Sequence, residues 1–295
     1  MLTVVIGLTS ALVFGAADFL GGLAAKRMHA ALATGISGFI GLLVMLLALP
    51  LLGGAWSPEA VVLGALSGIS GSIAIGLLYA CLAIGPMSIL SPLTAVVSAI
   101  VPVTVSLIGG ERLGALGYVA LGLAAVAIVL VGFVPEKHAV RPSLKGVLMA
   151  VASGIAIGGF LLIIDRTPED SGIVPLVFNR GMSALIMFSV VGVLLLAARR
   201  RDRLAPLGSE RSAPLGAVRA GLRFALACGV VDAIANIGLL LGVRLGDLSV
   251  MAVLTALYPA GTIILAAIVL KERIAWLQYV GLALAVVAGA MLALS

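Results

Sequence analysis

Charge is scarce in this chain. Asp, Glu, Lys and Arg make up 10% of its 295 residues, against about 25% in a soluble globular domain. Such a composition argues against a protein that lives in water. Histidine and cysteine are rarer still. His29 and His138 fall in loops beside basic residues, where a solvated role suits them. Cys81 and Cys228 stand alone inside apolar stretches, without the spacing of a disulfide framework or a metal site, and read as small packing residues. No H-E-x-x-H pattern and no P-loop occurs, so neither zinc hydrolysis nor ATP-driven pumping has its residues. A membrane-embedded enzyme is therefore the weakest functional alternative, and no cofactor or metal is expected. The net charge of +6 comes from residues in short loops rather than from a continuous stripe, which argues against a nucleic-acid partner.

Hydrophobic residues, by contrast, fill 62% of the chain. About 20 apolar residues cross a bilayer as a helix, and turns and charges divide the chain into ten such segments: 2–25, 30–52, 59–82, 86–108, 113–134, 144–164, 173–198, 219–242, 248–270 and 275–294. The expected fold class is an all-α integral membrane protein with ten transmembrane helices. The first run ends at Lys26-Arg27 rather than at a small-residue cleavage site, so it reads as a retained helix, not a signal peptide.

The chain also repeats itself. Gly85 to Val126 lies without a gap over Gly246 to Val287, at a constant offset of 161. Ser88 meets Ser249, Leu93-Thr94-Ala95 meets Leu254-Thr255-Ala256, Glu111-Arg112 meets Glu272-Arg273, and Tyr118-Val119 meets Tyr279-Val280. Roughly a third of the aligned positions are identical, more than shared apolar composition explains. At an offset of 143, Ser10, Gly15 and Leu20 align with Ser153, Gly158 and Ile163. The expected domains are two five-helix repeats, 1–135 and 142–295. An odd number of crossings per unit turns the second unit upside down, so the two are expected to be inverted repeats, with a site at the midplane between them. Loop charges separate the two sides. Lys26, Arg27, Lys137, Arg141, Lys145, Arg199, Arg200, Arg201, Arg203, Arg211, Arg219, Arg223, Lys271 and Arg273 fall on one side; Arg112, Arg166 and Arg244 share the other with Glu59, Glu111, Glu169 and Asp170. The positive-inside rule then places both termini outside.

Three ionisable residues fall well inside predicted spans: Asp18, Arg180 and Asp232. A charge at the bilayer centre costs about 2.5–3.5 kcal/mol on insertion scales, so each needs a partner or a wet cavity. Asn236 shares a helix face with Asp232, four residues on, and Phe14 shares one with Asp18. Arg180 offers a planar fork to a carboxylate or phosphate, or it neutralises Asp232 as a packing pair. The fourth and ninth spans are rich in hydroxyls and helix breakers, including Ser91, Pro92, Thr94, Ser98 and Pro102 in one and Thr255, Tyr258, Pro259 and Thr262 in the other. Such breaks expose carbonyls where the backbone lines a cavity. Tyr79 serves either as an aromatic wall or, the slightly stronger reading, as an interfacial anchor. The substrate- and proton-binding candidates are thus Asp18, Phe14, Tyr79, Ser91, Thr94, Arg180, Asp232, Asn236, Thr255 and Tyr258. The pairs Gly64-Gly68, Gly154-Gly158 and Gly238-Gly242 are assigned to close helix packing within the chain.

Phe14-Gly15 in the first span, Ala83-Ile84-Gly85-Pro86 leading into a Ser/Thr/Pro-bearing span, and Gly110-Glu111-Arg112 before a Gly-rich span occur in this order, and Lys271-Glu272-Arg273 repeats the last of them. On these features the chain resembles the EamA family of the drug/metabolite transporter superfamily over nearly its whole length. The resemblance implies movement of amino acids, other metabolites, nucleotide sugars or toxic cations, and it implies cytoplasmic termini, opposite to the charge count. The function expected is a secondary active permease in the cell (plasma or inner) membrane, exporting a small metabolite or drug by alternating access with protons as coupling ion. A passive channel or facilitator for small polar solutes is the alternative. The expected partners are the substrate, the lipid bilayer and protons, in a monomer or weak homodimer.

Overall fold

In the computed structural model the described residues are 2–25, 27–84, 87–110, 114–132, 143–202, 215–269 and 276–294. They form helices and no strand: α1 (Leu2–Ala25), α2 (Ala30–Leu52), α3 (Pro58–Ile84), α4 (Met87–Ile108), α5 (Ala115–Gly132), α6 (Leu144–Asp165), α7 (Val174–Asp202), α8 (Leu215–Leu245), α9 (Leu248–Thr255), α10 (Tyr258–Val269) and α11 (Trp276–Leu294), with one 3-10 turn at Glu169–Ser171. Between its ends a helix satisfies its backbone donors and acceptors within its own segment, as hydrocarbon demands. Among the described residues six helices are long and apolar enough to cross a membrane (α1, α2, α3, α6, α7 and α8), and three apolar stretches are shorter: Leu93–Ile108, Ala115–Ala127 and Leu248–Thr262. Large apolar side chains such as Leu47 (77% exposed), Leu51 (86%) and Leu195 (59%) point outward, the surface a bilayer covers and water would not tolerate over such an area.

Helix ends carry local signals. Before α3, the Ser57 hydroxyl accepts from Ala60 N–H at 3.1 Å, Pro58 takes the first helical position, and Glu59 adds a carboxylate to the first turn. Ser143 caps α6 in the same way through Gly146 N–H. His29 is exposed, as expected of a loop histidine, and it also caps α2, accepting from Ala31 N–H at 3.2 Å. His138 and the Gly85, Glu111, Arg112, Lys271, Glu272 and Arg273 motif positions lie outside the described residues.

The helix pairings exchange when the two halves are swapped. α1 packs on α8 and α6 on α3; α2 packs on α8 and α7 on α3; α6 packs on α4 and α1 on α9 and α10. α2 pairs with α7, α4 with α9, and α5 with α11, each with its own counterpart. Close approach at the α3–α7 crossing is made by Gly64 and Gly68. A Cβ on either would come within 2.5 Å of a backbone oxygen, of Pro175 and Asn179 respectively. On one end of the bundle the α2–α3 and α6–α7 loops interlock, with Ala55 N–H on Asp170 O at 2.8 Å and Ile173 N–H on Gly53 O at 3.3 Å. Gly53 (φ 68°) and Gly172 (φ 51°) supply the left-handed backbone this contact requires. Arg244, at the end of α8, clasps the same loop through Glu169 O (2.6 Å), Pro168 O (3.1 Å) and Ser171 Oγ (3.0 Å). Arg244, Glu169 and Asp170 therefore share one end of the molecule, as their grouping by loop charge anticipated.

One expectation needs correction in part. Helix breaks are expected in both breaker-rich spans, 86–108 and 248–270. Instead α4 runs unbroken through Pro92 and Pro102, and the ninth segment splits into α9 and α10 at Ala256–Leu257. The cause lies two positions on. Pro259 stands where the first half has Ser98, and a proline can offer no N–H to the Thr255 carbonyl four residues back.

Candidate functional site

A cavity of about 120 Å³ opens where α1, α2, α3, α4, α6, α7, α8 and the α9–α10 break converge. Both halves contribute walls. From the first come Phe14, Asp18, Thr34, Ser37, Tyr79 and Ser98; from the second come Phe160, Arg180, Ser183, Cys228, Asp232, Asn236, Thr255 and Tyr258. Among the described residues none of the lining comes from α5 or α11, which pack on one another. Its polar groups are single residues set in apolar stretches, and they meet where the helices cross.

The main polar contact joins α7 to α8. Arg180 Nη2 lies 2.6 Å from Asp232 Oδ2, and the two side chains retain 13% and 21% exposure toward the cavity. Asn236, one turn beyond Asp232, donates from Nδ2 to Asp232 O (2.8 Å) and to Asp232 Oδ1 (3.2 Å). The Arg180 stem lies against Gly41 of α2, where a Cβ would sit 3.3 Å from Cδ and 3.6 Å from Nε. Gly41 thus gives the arginine room to reach Asp232. Next to this pair, α3 and α7 are joined by Asn179 Nδ2 donating to Ser67 Oγ at 2.9 Å and by the Ser72 and Ser183 hydroxyls at 2.9 Å.

Asp18 faces the same cavity from α1 and makes no ion pair among the described residues. Tyr79, 5% exposed, is no interfacial anchor. Its hydroxyl rests on Gly21, where a Cβ would clash with it, and the Cys228 sulfur sits 3.3 Å from the same point. The ring therefore walls the cavity, the weaker of the two readings its position in the sequence allowed. At the α1–α10 crossing, Gly15 lets the chain pack on Gly261 Cα and Thr262 N, each 2.6 Å from where its Cβ would stand, and the Thr262 hydroxyl donates to Gly15 O at 3.0 Å.

Of the ten candidates, Asp18, Phe14, Tyr79, Arg180, Asp232, Asn236, Thr255 and Tyr258 line the cavity. Thr94 does not. Its hydroxyl donates to Leu90 O (3.0 Å) and Ala150 O (3.1 Å), pinning α4 to α6. The side chain of Ser91 lies outside the described residues. Sequence reasoning missed Thr34, Ser37, Ser183, Phe160 and Cys228, the last having been taken for packing alone. A signal existed for two of these residues: Ser37 is the repeat counterpart of Arg180, and Thr34 precedes it by one turn on the same helix face.

With these walls in place, likeness to known proteins adds the class of the molecule. A model of the EamA-like transporter family matches residues 144–294. The chain belongs to the EamA-like transporter family. It is a multi-pass membrane protein, and the cavity lies in a transporter that handles a small molecule. A solved structure described only as "Crystal structure of protein" resembles this transporter with a TM-score of 0.70, over 99% of this chain and 96% of that one, at 16% identity. That likeness concerns the fold alone. No curated protein matches the transporter.

Proposed function

We propose that this transporter is a secondary active exporter of a small polar metabolite or drug, working by alternating access between two inverted five-helix halves, 1–135 and 142–295, in the cell membrane. The observation that carries the reading is a mostly apolar cavity with a few polar groups, walled by both halves at the place where their helices exchange partners. If ten segments cross the bilayer as two upside-down units, rocking one half on the other exposes this cavity to each side in turn. The swap-symmetric pairings support that geometry, because two equivalent packings are what such a rocking motion interconverts.

The coupling ion in this reading is the proton. Two carboxyl groups, Asp18 and Asp232, share the cavity with one guanidinium, which is engaged by Asp232. A carboxylate at membrane depth needs either a cation or a proton, so substrate and proton compete for the same groups. The test is flux in proteoliposomes under an imposed pH gradient. Asp18→Asn and Asp232→Asn are expected to uncouple substrate movement from the gradient. Unchanged coupling in both variants sinks the proton role, and flux that neither saturates nor exchanges labelled for unlabelled substrate sinks the carrier reading.

A further inference from the structure

The repeat makes a controlled comparison possible. Thr94 and Thr255 are equivalent by alignment, yet their hydroxyls differ in state. Thr94 Oγ1 shares its proton between two carbonyls, Leu90 O and Ala150 O; Thr255 Oγ1 is buried and has no partner among the described residues. The α9–α10 break directly follows Thr255. Pro259 leaves the Thr255 carbonyl without its helical donor, and both Thr255 and Ala256 face the cavity. Thr34, also in the lining, is 6% exposed and its hydroxyl lacks a partner among the described residues. Asp18 adds a carboxyl group outside any ion pair of the described residues. Each hydroxyl is also a donor, and a further unpartnered donor, Arg180 Nε, is turned toward Gly41 of α2, while its Nη2 is engaged by Asp232.

Among the described residues the cavity therefore has more carboxyl groups than cations, two against one guanidinium, with two hydroxyls able to accept and a carbonyl without its helical donor. Buried polar groups of this kind are costly unless a partner arrives. From this imbalance we infer that Asp18, Thr34 and the Thr255 end of the broken helix form a subsite for the protonated amine of a small substrate that carries no obligatory carboxylate. This deepens the transport proposal and rests on it. The Arg180–Asp232 pair then acts as a closed pair within the wall, not as a carboxylate clamp. Phe14, Tyr79, Phe160 and Tyr258 make the remaining surface suitable for an apolar or aromatic body. A volume of about 120 Å³ is close to that of an engineered cavity that admits benzene. An ammonium group is preferred over a quaternary cation because hydroxyls and carbonyls reward N–H donors, whereas a trimethylated nitrogen has none to give.

The experiment uses the purified full-length protein with three single-ring probes: benzylamine, benzyltrimethylammonium and benzoate. Calorimetric titration and thermal unfolding are expected to show saturable binding of benzylamine, weaker binding of the quaternary cation and none of benzoate. Asp18→Asn and Thr255→Val should each weaken benzylamine about tenfold or more, the loss of one charge-assisted hydrogen bond, while Thr94→Val leaves its affinity unchanged. Thr34→Val serves as a second cavity variant should Asp18→Asn fold poorly. Benzoate binding in preference to benzylamine, or equal affinity of benzylamine for Asp18→Asn and the unaltered protein, overturns the subsite. Counterflow separates the two claims. Exchange of benzoate without benzylamine removes the subsite and leaves the carrier standing; benzylamine binding lost in the cavity variants, with no exchange of any probe, leaves the subsite and removes the carrier.

Discussion

The Arg180 guanidinium meets the Asp232 carboxylate at 2.6 Å, linking α7 to α8 at the wall of the cavity. Neither helix positions this contact alone. Gly41 of α2 makes room for the arginine stem, and Asn236 holds the far oxygen of the carboxylate. Three helices thus hold one ion pair, and removing either partner leaves a charge that water reaches only through the cavity.

Asp232→Asn and Arg180→Met are each expected to lower the unfolding temperature more than the double variant does. Breaking a fully buried pair costs about 3–5 kcal/mol, because the surviving charge is left uncompensated, and the partial exposure here makes the cost smaller. Thermal unfolding of the two single variants and the double variant in detergent measures the coupling. Additive losses contradict a mutually dependent pair.

Thr94→Val and Thr255→Val test the broken symmetry of the repeat. The first variant loses a hydroxyl shared between Leu90 O of its own helix and Ala150 O of α6, a hydrogen bond worth about 0.5–1.5 kcal/mol. The second removes a hydroxyl that has no acceptor, so stability stays level or rises. Equal destabilisation of both in thermal unfolding contradicts the assignment.

Gly64→Ala and Gly68→Ala are expected to destabilise the α3–α7 crossing, since the added methyl meets backbone that cannot turn away. Overpacking of this kind costs about 1–3 kcal/mol. Gly122→Ala is the control. No atom lies within 4 Å of its added Cβ, and alanine is the better helix former by about 0.5–1 kcal/mol. Denaturation midpoints of the three variants give the ranking.

Arg244→Lys keeps the charge and loses the fork. The 168–171 loop then gives up contacts to two carbonyls and a hydroxyl. Faster amide hydrogen exchange is expected at residues 169–173, with exchange in the middle of α8 unchanged. Uniform acceleration across the chain contradicts a local clasp.

Orientation is decided by labelling in cells. In a C81A/C228A background, Leu2→Cys and Arg27→Cys mark opposite ends of α1, both exposed. The loop charges predict that an impermeant maleimide reaches Leu2→Cys from outside and Arg27→Cys only after permeabilisation. The reverse pattern gives the cytoplasmic termini that the family resemblance implies.

The sequence by itself determined that the chain is a bundle of apolar helices, where those helices begin and end to within a few residues, and which ionisable residues sit inside them. Those properties are local: hydrophobic length, caps such as Ser57-Pro58, and the penalty on a lone charge all act within one segment. The repeat also carried information, since aligned Thr94 and Thr255 marked equivalent positions. Only the tertiary structure decided which of those residues meet. It sent Thr94 into the α4–α6 contact and Thr255 into the cavity, and it brought Thr34, Ser183 and Cys228 to the wall. It turned Tyr79 inward over Gly21 and joined Arg180 to Asp232. The physical reason is that an apolar helix presents several equally hydrophobic faces, so its own pattern does not say which face turns inward. That choice belongs to the glycine-lined crossings, where two backbones approach closely enough to fix the rotation of both helices and bring a few polar groups to one place.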